Sequence, residues 1–224
     1  MNLNLVEQLL KPLYERALLG STISECFALY FNGVNAYGEF ESRLITIGGI
    51  NLIRFQTGFV PAETTNGTQR SVIITQHIPG VTAWDQREFH LITDPSGYIQ
   101  LQAGSSSFRT SLTRLESFCL YEITVDYFSS NFRVKNVTKG TEENLALSYG
   151  SGSQPTAKTY LAGLPTGGIR FMGQFIWIEV NGNYYPMRSK GSAVQQAEPN
   201  NGNPLTLFNT VPENWGVVPC NLRP

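Results

Sequence analysis

The chain has 224 residues, of which 41% are apolar and 12% aromatic, enough to fill the core of one large domain. Only 15% are charged and the formal net charge is -1, with Lys and Arg scattered, which excludes electrostatic capture of nucleic acid or anionic lipid. No run reaches the roughly 20 apolar residues of a membrane span, and no basic region followed by an apolar run opens the chain. A soluble product made in a cytoplasm, without membrane insertion, is expected. Its charge-poor surface must be covered by Ser, Thr, Asn, Gln and Gly, as in proteins that meet sugars or many copies of themselves.

The first segment carries a helical period. Leu5, Leu9, Leu13 and Ala17, flanked by Val6, Leu10, Tyr14 and Leu18, form a broad apolar stripe, with Glu7, Lys11, Glu15 and Arg16 off it. Pro12 kinks or divides this helix and Gly20 ends it. So short a helix needs a surface to lie against: its own sandwich, a partner chain, or a bundle of identical helices. Residues 1–21 are therefore expected to be a helical extension, with Leu5, Leu9, Leu10 and Leu13 as an assembly anchor.

From Cys26 the period changes to two, and residues 22–224 are expected to form one antiparallel β-sandwich. Glu88 to Thr93 and Tyr98 to Ala103 flank Asp94-Pro95-Ser96-Gly97, a sequence made for a tight turn. In Leu120 to Tyr127, the residues Tyr121, Ile123, Val125 and Tyr127 fall on one face; Phe132-Arg133-Val134-Lys135 repeats the alternation after a Ser-Ser-Asn turn, predicting a hairpin. Phe175 to Val180 is apolar on both faces and reads as a central strand. Ser189 to Pro204 is rich in Gly, Ser, Gln, Asn and Pro and reads as an exposed loop, after which Leu205 to Phe208 and Trp215 bring the tail back onto the sandwich.

Catalytic patterns are weak. His77 stands before Ile78-Pro79-Gly80 and His90 within a strand, neither with a neighbouring acid or thiol that would make a relay, so both read as surface or satisfied histidines and Ser and Cys nucleophiles lack an activator. Cys26, Cys119 and Cys220 have no metal-binding spacing and read as buried thiols; no metal site is expected from them. Glu39 and Glu41 stand two apart but at the opening phrase rather than mid-face, and Glu142-Glu143 reads as a solvated turn. What remains is recognition. Trp84, Asp85 and Arg87 before one strand, with Tyr98, Gln100 and Gln102 on one face of the next, combine aromatic faces with amide and guanidinium donors and form a candidate carbohydrate site.

The order of the phrases resembles the concanavalin A-like jelly roll of the laminin-G and pentraxin type, as found in phage virion proteins. The match lies in Phe31-Asn32-Gly33 with Tyr37, in Arg87-Glu88-Phe89 through Asp94 with Gly97 and Ile99, in Ile123 to Tyr127 followed by Phe132-Arg133-Val134, and in Phe171, Gly173 and Phe175, covering roughly residues 27 to 180. The resemblance implies a non-enzymatic bacteriophage structural protein located in the virion, a lectin-like tail-fibre or adhesin subunit or a capsid decoration protein. It implies a homo-oligomer that joins other virion proteins through its N-terminal extension and meets a host surface glycan. Alternatives are a free carbohydrate-binding module and a polysaccharide-cleaving enzyme. Calcium is the metal the resemblance brings, but Asn32 stands where the family usually has Asp and the acidic pairs that hold the ion are not evident.

Overall fold

In the computed structural model of the chain, residues 26–61, 71–78, 87–104, 108–149, 156–165, 170–187, 190–198 and 203–218 are described. Residues 1–21, with Leu5, Leu9, Leu10 and Leu13, lie outside them, as do Trp84 and Asp85. The chain begins with β1 (Cys26–Asn32), β2 (Tyr37–Phe40), β3 (Ile50–Thr57) and β4 (Ser71–His77). A middle group follows: β5 (Arg87–Thr93), β6 (Tyr98–Ala103), β7 (Arg109–Arg114), β8 (Leu120–Asp126), β9 (Asn131–Asn136) and β10 (Thr141–Ala146). The last group is β11 (Lys158–Leu161), β12 (Met172–Val180), β13 (Asn183–Tyr185), β14 (Val194–Gln195), β15 (Leu205–Phe208) and β16 (Trp215–Val218).

These strands form two antiparallel sheets of a jelly-roll sandwich. One runs in the order β10-β9-β8-β3-β12-β1-β16, with β13 beside β12; the other runs β14-β15-β2-β11-β4-β5-β6-β7. The hairpins arise where the sequence places turn chemistry. At the β5–β6 connection the Asp94 carboxylate accepts from the Ser96 and Tyr98 amides at 2.8 and 2.9 Å, and Gly97 supplies the left-handed residue at φ +85°. In β8 burial alternates residue by residue, with Tyr121, Ile123 and Val125 inward, and β9 pairs with it as the Ser-Ser-Asn turn predicts. The solvent face of this sheet carries a charge ladder in which Glu122 meets Arg54 and Arg133 at 3.2 and 2.7 Å.

Between the sheets Phe175 of β12 lies at the centre of an aromatic cluster. Its ring stacks on Phe171 at 4.6 Å and meets Phe55 and Phe31 edge-on at 5.7 and 6.0 Å. The register of β12 against β3 slips between Phe175 and Trp177, a bulge that lets Phe175 and Ile178 both face the core. Ile176 and Trp177 turn outward instead, into a satellite cluster with Ala28 and Val218, partly covered by Leu120 and Tyr184. The strand is therefore central, flanked by β3 and β1, and apolar on both faces.

The stretch read as an exposed loop is corrected by the structure. Val194–Gln195 forms an edge strand paired with β15, Gln195 and Ala197 are buried, and Glu198 bridges to Tyr184. Backbone pairing to an existing edge does not need a hydrophobic pattern, so polar composition concealed it. Cys119 is a buried free thiol, as expected.

Trp177 is 2% exposed and its indole N–H donates to Gln56 Oε1 at 3.0 Å. Trp177→Ala is expected to cost about 3–5 kcal/mol in urea unfolding, through the cavity and the orphaned Gln56 acceptor. A cost below about 1 kcal/mol would contradict a sealed outer cluster.

Candidate recognition site

Residues facing each other across a ladder share a face. Successive registers align Glu39, Tyr160, Thr75, His90 and Gln102 in one row across β2, β11, β4, β5 and β6, on the side of the sheet away from the core. The middle of this row is sealed: Tyr160, Thr75 and His90 are buried. Thr75 donates its hydroxyl hydrogen to the Phe89 carbonyl at 2.9 Å, so the 2.9 Å contact with His90 is a bond donated by His90 Nδ1. His77 Nδ1 donates to the Ile78 carbonyl. Burial, together with the charge of Glu39, pushes the Tyr160 hydroxyl up to about 12. Glu39 is paired with Lys158, and Glu41 lies past the end of β2, so the two acids do not share a strand face.

Of the residues singled out from the sequence, Gln100 and Gln102 point to this outer face but are only 7% and 8% exposed. Gln100 Nε2 donates to Thr110 Oγ1 at 2.6 Å, while its buried carbonyl has no partner. Arg87 opens β5 opposite His77, and Tyr98 opens β6 half-buried. Tyr98 is the residue of this set whose ring meets a residue lining an open cleft, Arg114. Arg114, opposite it on β7, lays its guanidinium 5.1 Å from the ring centroid and donates twice to the Ser96 carbonyl, at 2.9 and 2.6 Å.

Arg114 and Glu116 join two clefts at this end of the sandwich. One, of about 400 Å³, lies between Phe59, Pro61, Ser96 and Ser117; the other, of about 430 Å³, lies between Leu112, Asn136, Lys139 and Glu143. Phe59 is 52% exposed, an aromatic face beside hydroxyl groups. Glu116 is held by Lys139 at 2.6 Å, and this bond raises the lysine above its ordinary value.

The segment that forms the shared wall is anchored from the core. The Tyr121 hydroxyl donates to the Arg114 carbonyl at 2.9 Å and accepts from the Glu116 amide at 2.8 Å; burial pushes that hydroxyl far above its usual range. Leu115 donates to the Gly97 carbonyl at 2.9 Å, Thr57 Oγ1 to the Glu116 carbonyl at 2.6 Å, and Ser117 exchanges two bonds with the backbone of Val60. Such a wall presents its side chains without first having to order them, which lowers the cost of binding. Arg114, Glu116 and Phe59 are absent from the sequence-derived set because only tertiary structure gathers them: the pairing of β6 with β7 brings Arg114 to Tyr98, Glu116 lies in the turn after β7, and Phe59 follows β3 and is held by Gln174.

Among the described residues, the turn carboxylates and amides do not fit a calcium ion. Asn32 Oδ1 already accepts from the amides of Val34, Asn35 and Ala36 at 2.9, 3.0 and 3.1 Å, and its amide donates to Asn35 Oδ1 at 2.8 Å. Asp94 and Asp126 are likewise spent on their own turns, and no three of His, Cys, Asp and Glu converge among the described residues.

Neither a protein-family model nor a curated protein sequence matches the chain. Among solved structures, a Bacteroides ovatus protein to which carbohydrate binding is ascribed superposes with a TM-score of 0.56 at 10% identity, over 87% of this chain and 60% of that one. The LG1-3 region of the laminin alpha2 chain gives 0.50 at 16% identity, over 84% of this chain and 35% of that one. The native heptameric SAP-like pentraxin from Limulus polyphemus gives 0.47 at 13% identity, over 71% and 77%, too low to add weight. The fold is thus the concanavalin A-like sandwich of laminin-G type that the ordered phrases resemble. The chain spans less than two thirds of the first two structures.

Tyr121→Phe removes both bonds to the wall and is expected to destabilise the fold by about 1–3 kcal/mol in chemical unfolding. Hydrogen exchange at the Glu116 amide should accelerate more than that at Ile123; equal acceleration would contradict the anchoring role.

Proposed function

We propose that this chain is a non-enzymatic, lectin-like recognition subunit, exposed on a bacteriophage particle as a tail-fibre, adhesin or capsid decoration component, and that it binds host glycan at the Tyr98 end of the sandwich. The observation that carries the reading is the pair of clefts meeting at Arg114 and Glu116. They bring an exposed aromatic ring, two serine hydroxyls and paired charges to a wall fixed from the core. Sugar rings offer apolar C–H faces to such a ring and hydroxyl rims to such donors and acceptors. The carbohydrate binding ascribed to the Bacteroides ovatus protein supports the reading through shared fold, which does not by itself assign function. Trp84, Asp85, Arg87, Gln100 and Gln102 stay in the proposal as the flank of the site, on the strength of the sequence.

Placement on a particle is supported by the resemblance to phage virion domains and by a charge-poor composition suited to many copies side by side. Particle assembly is proposed to act through residues 1–21 with Leu5, Leu9, Leu10 and Leu13. Residues 22–224 should fold with the melting temperature of the full chain and fail to enter particles. Loss of folding in that truncation would assign the segment to the core, and full incorporation would remove its anchoring role.

The glycan site is tested on an array with an assembled, multivalent form, since one such site is weak alone. Tyr98→Ala with Arg114→Ala is expected to bind about tenfold more weakly, the ratio that ~1.4 kcal/mol gives, with or without a chelator. Binding that survives the double substitution and vanishes with the chelator would reject this site in favour of a calcium-dependent one. Release of reducing ends from a host polysaccharide would overturn the non-enzymatic reading.

A further inference from the structure

At the other end of the same outer face stands an arginine with no counter-ion among the described residues. Arg170 is 8% exposed, and its Nε and Nη1 are buried without a hydrogen-bond partner. Among the described residues no carboxylate lies within ion-pair distance of it; Glu39, the nearby acid that acts on Tyr37 and Tyr160, is taken by Lys158. The guanidinium lies 5.1 Å from the centroid of Tyr37, which is stacked in parallel on the half-buried Phe208 at 4.8 Å, and Tyr160 and Leu164 complete the cluster. Gly163 makes room for it: a Cβ there would stand 2.5 Å from Arg170 Cδ and 2.7 Å from Nη1.

A guanidinium stays charged in a protein, and one taken out of water is costly unless an anion meets it. Burial lowers its proton affinity, but one aromatic face is a modest substitute for a carboxylate. We propose that Arg170 is the anchor of a second saccharide subsite, selective for acidic sugars: the sugar carboxylate pairs with Nη2, the guanidinium nitrogen outside the buried Nε and Nη1 pair, and the ring lies on the Phe208 face. A carboxylate meets this donor through a bond in which both partners are charged, which a neutral sugar does not offer. The proposal rests on the recognition reading above and names the ligand class for a different end of the same sheet.

The test is a titration of the 15N-labelled full chain with sodium glucuronate, with glucose and sodium acetate as controls. It follows the Arg170 Nε–H signal, assigned by its loss in Arg170→Met. The expected result is a saturable shift with glucuronate, about tenfold weaker binding of acetate, and no shift with glucose. Arg170→Met should melt at the same or a higher temperature, because an uncompensated buried charge has been replaced by an apolar chain of similar volume. Should it fail to fold, an essential structural salt link is implicated and the proposal is overturned; Arg170→Lys, which keeps the charge on a shorter side chain that does not reach where Nη2 stands, should fold and bind glucuronate more weakly. No shift with glucuronate, or acetate binding equally well, overturns acidic-sugar selectivity. A larger shift with an Asp- and Glu-rich peptide transfers the site to a protein partner and overturns it too. Loss of all array binding at Tyr98 with a retained glucuronate shift would sink the first site alone, whereas neutral-glycan binding without a glucuronate shift would sink only the subsite.

Discussion

The fold depends on how closely β12 approaches the chain that crosses it. Phe171 can stack on Phe175 only because Gly173 lies between them without a side chain: a Cβ at that position would stand 2.9 Å from the Phe171 ring and 3.2 Å from the Phe59 carbonyl, on a backbone at φ +145° that other residues avoid. With the glycine in place, the Gln174 amide donates to the Phe59 carbonyl at 2.8 Å and the Gln174 side chain accepts from the Phe59 amide at 2.9 Å. One close contact thereby joins the core to both candidate sites. Phe59 stands at the mouth of a cleft, and Arg170 directly precedes Phe171.

This arrangement separates packing from recognition within a single sheet. The central residues of its outer face, Tyr160, Thr75 and His90, are sealed, and Thr75 is bonded to His90 and to the backbone, so the face as a whole is not a platform. Open chemistry lies at its ends. Arg114, Glu116 and Phe59 line clefts at one end, with the Tyr98 ring against Arg114, and Arg170 with Phe208 occupies the other. Tyr121 and Gly163 reach these ends from within, one by hydrogen bonds and the other by leaving space. Rigid elements under exposed side chains are what a weak, multivalent binder needs, since little ordering is left to be done at each contact.

The sequence made the strand periodicity legible wherever one face meets core and the other water. Tyr121 to Tyr127 and the Asp94 to Gly97 turn are the clearest cases, because alternation and turn chemistry are local properties. The outward turn of Trp177 was not legible: an apolar run does not reveal a bulge. Val194 and Gln195 were concealed for the opposite reason, since an edge strand can be held by backbone bonds alone. For the site, Tyr98 was legible as an aromatic beside a turn. Arg114, against its ring, and Glu116, beside Arg114 at the clefts, belong to another strand and the turn beyond it, and Arg170 carries no local signal at all; each acquires meaning only from what the sandwich places beside it.

The central claim is that the ends of the outer face bind while its middle is sealed. An amide and side-chain chemical-shift map of the full chain, saturated with the tightest-binding glycan from the array, tests this most directly. The account expects perturbations concentrated at Phe59, Tyr98, Arg114 and Glu116, with Thr75, His90 and Tyr160 unmoved. Perturbations centred on Thr75, His90 and Tyr160 with the ends silent would contradict it.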